Sequence, residues 1–200
     1  MLVSLIGYLG IDTSGITALI ASLGVCVGLA VNGAVSNLAG GVILLVTRPF
    51  KVDDYIEAQD VSGTVEDIHM TCTKIRTPDN KVIYIPNGSL ANGNIINYTE
   101  KDTRRVDIKF DISYESDYEK AKSLITDIVT AHPLTLDDPE PFIRMSEHGD
   151  NAIIITVRAW VKNADYWTVN FDLLESVKKA FDENEIEVPY NQLDVHVKNA

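Results

Sequence analysis

The longest apolar stretch of the chain runs for 35 residues, from Thr13 to Thr47, without a charged side chain. A bilayer crossing needs about 20 predominantly apolar residues, so this stretch predicts a membrane-spanning helix. A secretory signal would need a basic N-terminal region and a shorter apolar core of about 7–15 residues. A helix buried in a soluble core is disfavoured because 35 residues would extend for about 50 Å. We therefore predict a transmembrane helix over residues 13–47.

Small residues recur inside this stretch at helical spacing. Gly24 and Gly28 lie four residues apart, and Ala21 lies about one turn earlier on the same face. Small residues let helices approach closely in lipid, so we interpret these three positions as a helix-packing face. Val25 and Leu29 form a neighbouring apolar stripe with the same spacing. A generic contact between two helices fits this spacing equally well.

The last part of the stretch contains polar side chains and further glycines. The amides of Asn32 and Asn37 would be costly in hydrocarbon, so we expect them to face water or a protein neighbour. Gly33 follows Asn32, and a helix too long to cross straight is expected to bend at such a glycine. Beyond that bend, residues 34–47 are expected to lie along the membrane interface.

Charge is confined almost entirely to the rest of the chain. Of 17 basic and 29 acidic residues, only Asp12 precedes Arg48, so residues 48–200 carry a net charge of −11. This acidic balance argues against nucleic-acid binding, which needs clustered cations. Arg48 and Lys51, directly after the apolar stretch, favour a cytoplasmic C-terminal side. If the acidic residues line an interior space they would concentrate cations there, although a solvated outer surface fits equally well.

Residues 48–104 are predicted to form a β domain. Short runs rich in β-branched and aromatic residues alternate with turn signals, which indicates a small barrel or sandwich. The predicted strands include 55–56, 63–65, 73–76 and 82–85. Turns are predicted at 77–80 and at Pro86-Asn87-Gly88, where Asn-Gly tolerates positive φ.

Residues 105–189 are predicted to form an α+β domain. Strands are expected at 105–113, 142–146 and 152–161, and amphipathic helices at 117–132 and 167–184. This order fits a β-α-β-β-α-β split arrangement of the ferredoxin-like type. Trp160 and Trp167 are interpreted as core or interface aromatics. A terminal strand is predicted within residues 190–200, where Leu193, Val195 and Val197 alternate.

No motif predicts catalysis, a cofactor or a metal site. The four histidines are scattered without metal-ligand spacing: His69, His132, His148 and His196. The acidic run at 137–140 lacks the glycine and the terminal glutamate of a calcium loop. The glycines near Gly40 have no phosphate-binding pattern, and Cys26 and Cys72 form neither a metal-ligand spacing nor a disulfide framework.

Two long runs of the chain form a recognisable pattern. They are LGVCVGLAVNGAVSNLAGGVILLVTRPFKVDDYIEA, which starts at Leu23, and SGTVEDIHMTCTKIRTPDNKVIYIPNGSLANGNIINYT, which starts at Ser62. These runs resemble the small-conductance mechanosensitive channel family. The resemblance implies a membrane α-helix plus an α+β cytoplasmic region. In detail, it implies a pore-lining transmembrane helix, a small Sm-like five-stranded β-barrel domain, a ferredoxin-like α/β domain and a C-terminal β-strand. It also implies a homoheptamer in the cell (inner) membrane that lets ions and small solutes through.

Carried over by position, the resemblance assigns roles to residues of the apolar helix. Val25 and Leu29 match the apolar pore seal, which can stop ions by dewetting. The packing-face positions match the surface along which neighbouring pore helices slide: Ala21, Gly24 and Gly28. Gly33 and Gly41 match the two bend points, and Asn32 matches a pore-lining polar position where glutamine is common. The family usually has glycine, leucine and alanine at positions 21, 25 and 26, so seal tightness and opening threshold are expected to differ.

The family places two further membrane helices before the pore helix, and these sense tension. Residues 1–12 resemble the end of the second of these helices and its loop, so we expect this chain to be a fragment. The expected function is a tension-gated channel subunit that releases solutes after hypo-osmotic shock, with no enzyme activity. The alternative is a non-conducting, membrane-anchored scaffold or cage. A soluble ligand-binding protein would require burial of the whole apolar helix.

Overall fold

The computed structural model describes residues 14–192, and contacts divide the chain into two compact units between Glu100 and Lys101. This division falls four residues before the predicted start of the α+β domain. Residues 1–12, predicted to be the end of a preceding membrane helix and its loop, lie outside the described range, and so do the alternating residues from Leu193 onward.

The described part of the first unit begins with one uninterrupted helix, α1, over Ser14–Thr47. By length and composition, α1 is able to cross a membrane. Neither Gly33 nor Gly41 interrupts it, and bending at these glycines stays a prediction. Exposed apolar side chains cover its N-terminal part, which excludes a buried core helix.

Five strands and a short helix follow α1. The elements are β1 (Tyr55–Ala58), β2 (Val61–Ile68), β3 (Cys72–Arg76), β4 (Val82–Pro86), α2 (Asn87–Asn92) and β5 (Ile96–Asn97). The strands form an antiparallel sheet in the order β4-β3-β2-β1-β5. Alternate strand residues fill one core with the end of α1: Leu44, Phe50, Ile56, Ala58, Val65, Ile75, Ile85 and Leu90. The predicted turn at 77–80 is confirmed, with Asn80 at a φ of 64°.

The predicted turn at Pro86-Asn87-Gly88 is wrong, because Asn87 begins helix α2 instead. The Asn87 side chain is fully buried and hydrogen-bonded to β3 and to the loop before it. These long-range bonds hold the residue in a helix start that the local Asn-Gly sequence does not predict.

As far as Gln192, the second unit contains one sheet and two main helices. Its elements are β6 (Thr103–Ile112), α3 (Tyr118–Ala131), β7 (Phe142–His148), β8 (Ile153–Lys162), a 3₁₀ turn (Asn163–Asp165) and α4 (Tyr166–Glu183). The sheet order is β6-β8-β7, and β8 runs antiparallel to both neighbours. Two parallel strands with a third between them form the predicted split arrangement. The sixth element is not found as far as Gln192, because residues 184–192 form no strand.

Both helices of this unit pack on the same face of the sheet. Asp117 caps α3, since its Oδ1 accepts hydrogen bonds from the N–H groups of Glu119 and Lys120. Helix α4 buries one residue per turn, each worth about 1.5–3 kcal/mol of transfer free energy: Val169, Leu173, Val177 and Phe181. The other face of the sheet is left without a helical layer in the described residues.

Candidate pore helix and its anchor on the β domain

The first two-thirds of α1 expose every side chain, including the predicted seal residues. Val25 and Leu29 are 63% and 73% exposed and lie one turn apart on one face. Exposure of this extent on an uncharged helix indicates that lipid or other protein chains cover it.

The glycines of this part have open space beside them in the described chain. A Cβ built on Gly24, Gly28 or Gly33 would meet no heavy atom within 4 Å. Intrachain packing therefore does not explain why these positions are glycine. The predicted packing face, with Ala21, is free to meet a helix of another chain.

The last third of α1 is anchored on the β domain by two glycines that touch its backbone. A Cβ on Gly40 would lie 2.5 Å from the Asn87 carbonyl oxygen, and one on Gly41 would lie 2.1 Å from the Met70 carbonyl oxygen. No real side chain tolerates such distances, so both sites require glycine. Gly41, expected as a bend point, is therefore a close-packing position.

Three further contacts complete this anchor. The Asn37 side-chain oxygen accepts a hydrogen bond from the Gly88 N–H at 3.0 Å, which confirms that this amide faces protein. A Cβ on Gly88 would lie 2.8 Å from the Ser36 hydroxyl oxygen. Leu44, one turn after Gly40, is buried in the β-domain core. Asn32, in contrast, is exposed on the free part of the helix.

Asn87 organises the polar interior of the anchor. Its Oδ1 accepts a hydrogen bond from the buried Thr73 hydroxyl at 2.8 Å, and its Nδ2 donates to the His69 carbonyl at 2.9 Å. Its backbone N–H donates to the Thr71 carbonyl at 3.0 Å. The sequence analysis missed this role, although Pro86-Asn87-Gly88 was the signal that marked the position.

A polar clasp holds the chain where α1 ends. Arg48 has a φ of 49°, which leaves the helix through the left-handed region before Pro49. The Asp54 carboxylate accepts hydrogen bonds from the Lys51 N–H and the Asn97 side chain, both at 2.8 Å. Burial opposes ionisation of Asp54, but these hydrogen bonds and the Lys51 charge outweigh it and lower its pKa.

Among residues 14–192, no cluster of histidine, cysteine and acidic side chains is suited to hold a metal ion. Lys51, Asp54 and Asn97 act within the clasp on each other and on the backbone. The arrangement is mechanical: an exposed apolar helix is joined firmly to a compact β domain.

Comparison with known proteins divides the chain at about the same place as its internal contacts do. The family described as "Mechanosensitive ion channel, beta-domain" matches residues 33–100, and "Mechanosensitive ion channel MscS, C-terminal" matches residues 106–188.

Three similar proteins illustrate the relationship. The small-conductance mechanosensitive channel of Edwardsiella ictaluri is 41% identical over 88% of this chain, which spans 62% of that protein's length. An MscS family protein of Buchnera aphidicola subsp. Baizongia pistaciae is 36% identical to this chain. The matched region covers 98% of this chain and 70% of the Buchnera protein. The closed-state crystal structure of Helicobacter pylori MscS superimposes with a TM-score of 0.89 at 33% identity, covering 99% of this chain and 79% of the other.

Proposed function

Since the chain belongs to the MscS family of mechanosensitive channels, we propose that it is a subunit of a pore that membrane tension opens. The pore releases ions and small solutes during hypo-osmotic shock. The observation that carries this proposal is the division of α1 into an exposed apolar part and a part anchored on the β domain.

The seal consists of Val25 and Leu29, repeated around the pore by each copy of the chain. Rings of aliphatic side chains exclude water from a narrow passage, and ions do not cross a dewetted passage. Asn32 lies about one turn beyond Leu29 and lines the wetted part of the pore.

Several copies are required because one helix cannot enclose a pore. Gly24, Gly28 and Ala21 supply the surface on which neighbouring copies of α1 slide, and contact with a neighbour explains the free space at both glycines. The family resemblance favours seven copies.

Tension opens the pore because the open state occupies a larger area in the bilayer. During opening the exposed part of α1 tilts while the anchored part stays with the β domain, and Gly33 is the hinge between them. Gly41 is the second bend point of α1, within the anchored part. The protein lies in the cell membrane with its C-terminal region in the cytoplasm, as Arg48 and Lys51 favour.

Patch-clamp recording in liposomes under graded suction tests this function. The 200-residue chain is compared with the full product of its gene. We expect tension-dependent openings from the gene product. Openings from the short chain as well would make α1 and the soluble units sufficient for gating. Silence from both, with protein present in the bilayer, would contradict the channel function and favour a non-conducting scaffold.

A further inference from the structure

A surface cavity of about 330 Å³ lies between helix α3 and strand β7. Cavities that bind small molecules have volumes of about 300–1,000 Å³, so this one has room for a small ligand. Four polar side chains line it: Lys122 and Thr126 of α3, Arg144 of β7, and Glu140 of the preceding loop. We call it the edge cavity. It contains none of the residues assigned to the pore or to the anchor of α1.

Helix α3 runs beside the outer edge of β7, which is an end strand of the sheet. Near the start of α3, the Tyr118 hydroxyl accepts a hydrogen bond from the Met145 N–H at 3.2 Å. Lys122 and Thr126 follow at intervals of four residues, on successive turns of the same side. The Lys122 ammonium lies 5.9 Å from the centroid of the Tyr118 ring. Helix α3 therefore presents a cation and a hydroxyl to the strand edge.

The backbone of Ile143 adds a hydrogen-bond donor and an acceptor to this edge. In an antiparallel pair, residues whose backbone groups bond to the partner strand alternate with residues whose groups point away from it. The Met145 N–H points away from β8, and so do the N–H and C=O groups of Ile143, two residues earlier in the same register. Within the described residues neither group of Ile143 has a hydrogen-bond partner. Both are therefore available to a ligand.

The charged side chains of the edge cavity are not paired with one another or with other groups. In the part of the chain that the structure describes, Lys122, Glu140 and Arg144 form no ion pair. Arg105 and Lys178 of the same unit, in contrast, are each paired with a carboxylate. The cavity thus offers two cations and one carboxylate, a net charge of +1, in a chain whose net charge is −12.

We propose that the edge cavity binds a free acidic amino acid. The two carboxylates and the ammonium group of such a ligand match the two cations and the carboxylate of the lining. Lys122 and Arg144 bind the carboxylates, because hydrogen bonds between ionised groups are the strong ones. Glu140 and the Ile143 carbonyl bind the ammonium group. The Thr126 hydroxyl also accepts from it, since its own proton is donated to the Lys122 carbonyl at 2.7 Å.

This charge pattern also sets the specificity. A dicarboxylic acid without an ammonium group leaves Glu140 facing carboxylates, and a neutral amino acid leaves one cation unmatched. Glu140 and Arg144 are exposed to solvent, which weakens their interactions with a ligand, so we expect a dissociation constant in the millimolar range.

Ligand-detected NMR titration of the full chain in a membrane mimetic tests the site. The probes are L-glutamate, glutarate, which lacks the ammonium group, and L-glutamine, which lacks the second carboxylate. We expect saturable binding of L-glutamate, about tenfold tighter than that of either other probe. Absence of saturable L-glutamate binding would overturn the proposal, and so would equal affinity for L-glutamate and glutarate.

Three variants locate the binding. Lys122→Met is expected to weaken L-glutamate binding about tenfold. Lys109→Met is the matched control, because Lys109 is exposed on β6, at the opposite end of the sheet from β7. An equal loss in both variants would overturn the assignment to the edge cavity.

Glu140→Gln separates ligand recognition from damage to the fold. It is expected to weaken the binding of L-glutamate and to strengthen that of glutarate, so that the difference between the two probes disappears. An equal loss of affinity for both probes would contradict the role of Glu140. These measurements need no channel activity, so their outcome is independent of the proposed function.

Discussion

The Asn37 side chain and the Gly88 backbone N–H are joined by a 3.0 Å hydrogen bond between α1 and α2, 51 positions apart in sequence. It lies where the free part of α1 gives way to the anchored part. Breaking it would loosen α1 from the β domain without altering the proposed seal residues, Val25 and Leu29.

Asn37→Leu is expected to destabilise the first unit by about 1–3 kcal/mol, because a partly buried N–H loses its acceptor. Under sustained tension the current should also decay at a different rate, because α1 is released from the β domain more easily. Asn32→Leu, at an exposed position, is the matched control for stability. Equal unfolding free energies for both variants would contradict the role of Asn37 in the anchor.

Gly41→Ala and Gly33→Ala are expected to have opposite effects on stability. At Gly41 a methyl group would overlap the Met70 carbonyl, so the helix must move off the β domain. At Gly33 there is free space, and alanine favours a helix over glycine by about 1 kcal/mol. Chemical unfolding measures both changes. If Gly33 is the hinge, its alanine variant should be more stable and should need a higher opening tension.

Val25→Ser or Leu29→Ser is expected to lower the opening tension, because a hydroxyl hydrates the seal. Val27→Ser is the control, since Val27 is similarly exposed but faces away from both residues. Patch-clamp recording gives the threshold for each variant. A shift of the same size in Val27→Ser would show that loss of apolar surface, and not position in the seal, changes gating.

Asn87→Ala is expected to cost about 2–4 kcal/mol, because the buried Thr73 hydroxyl and the His69 carbonyl lose their partner. Thr73→Val in the same chain removes one orphaned group, so the double variant should lose less than the sum of the two single variants. A double-mutant cycle of unfolding free energies measures this coupling. Strict additivity would argue against the hydrogen bond as the stabilising contact.

Acid is expected to weaken the clasp at the end of α1 through Asp54. The pKa of Asp54 is lowered from the ordinary value of 3.8. The stabilisation that ionised Asp54 contributes to the folded state is therefore complete above 3.8 and is lost as the pH falls through the lowered pKa. Unfolding of the wild type and of Asp54→Asn, followed from about pH 6 to about pH 2.5, should therefore converge at the acidic end. If the stability of Asp54→Asn fell with pH in parallel with that of the wild type, Asp54 would not contribute to the loss of stability in acid.

Regular alternation made most of the fold predictable. Val106, Ile108, Phe110 and Ile112 point to one face of β6, and their spacing alone predicts a strand with one buried side. Helix α2 escaped prediction because its start is stabilised by Thr73 and His69, which are distant in sequence. Local propensity favours a turn there, but tertiary hydrogen bonds stabilise the start of a helix instead.

The candidate site, like the fold, could be predicted only in part from the sequence. The glycines of α1 form one apparent series, yet Gly40 and Gly41 meet their own β domain while Gly24 and Gly28 meet nothing in the described chain. Residue type and spacing do not separate these cases, because the distinction depends on which surface lies opposite. The same holds in the second unit, where only the strand register places Arg144 of β7 and Arg158 of β8 on one face of the sheet.

The anchor also bears on how channels of this type can diverge. At Gly40, Gly41 and Gly88 the helix and the β domain lie so close together that a Cβ atom would overlap a neighbouring group. Substitutions to larger residues at these three positions should therefore be rare. The proposed seal residues Val25 and Leu29, in contrast, are largely exposed in their own chain, so packing within the chain does not fix their size. In organisms adapted to different osmotic conditions, we therefore expect the residues at positions 25 and 29 to vary and the glycines of the anchor to stay the same.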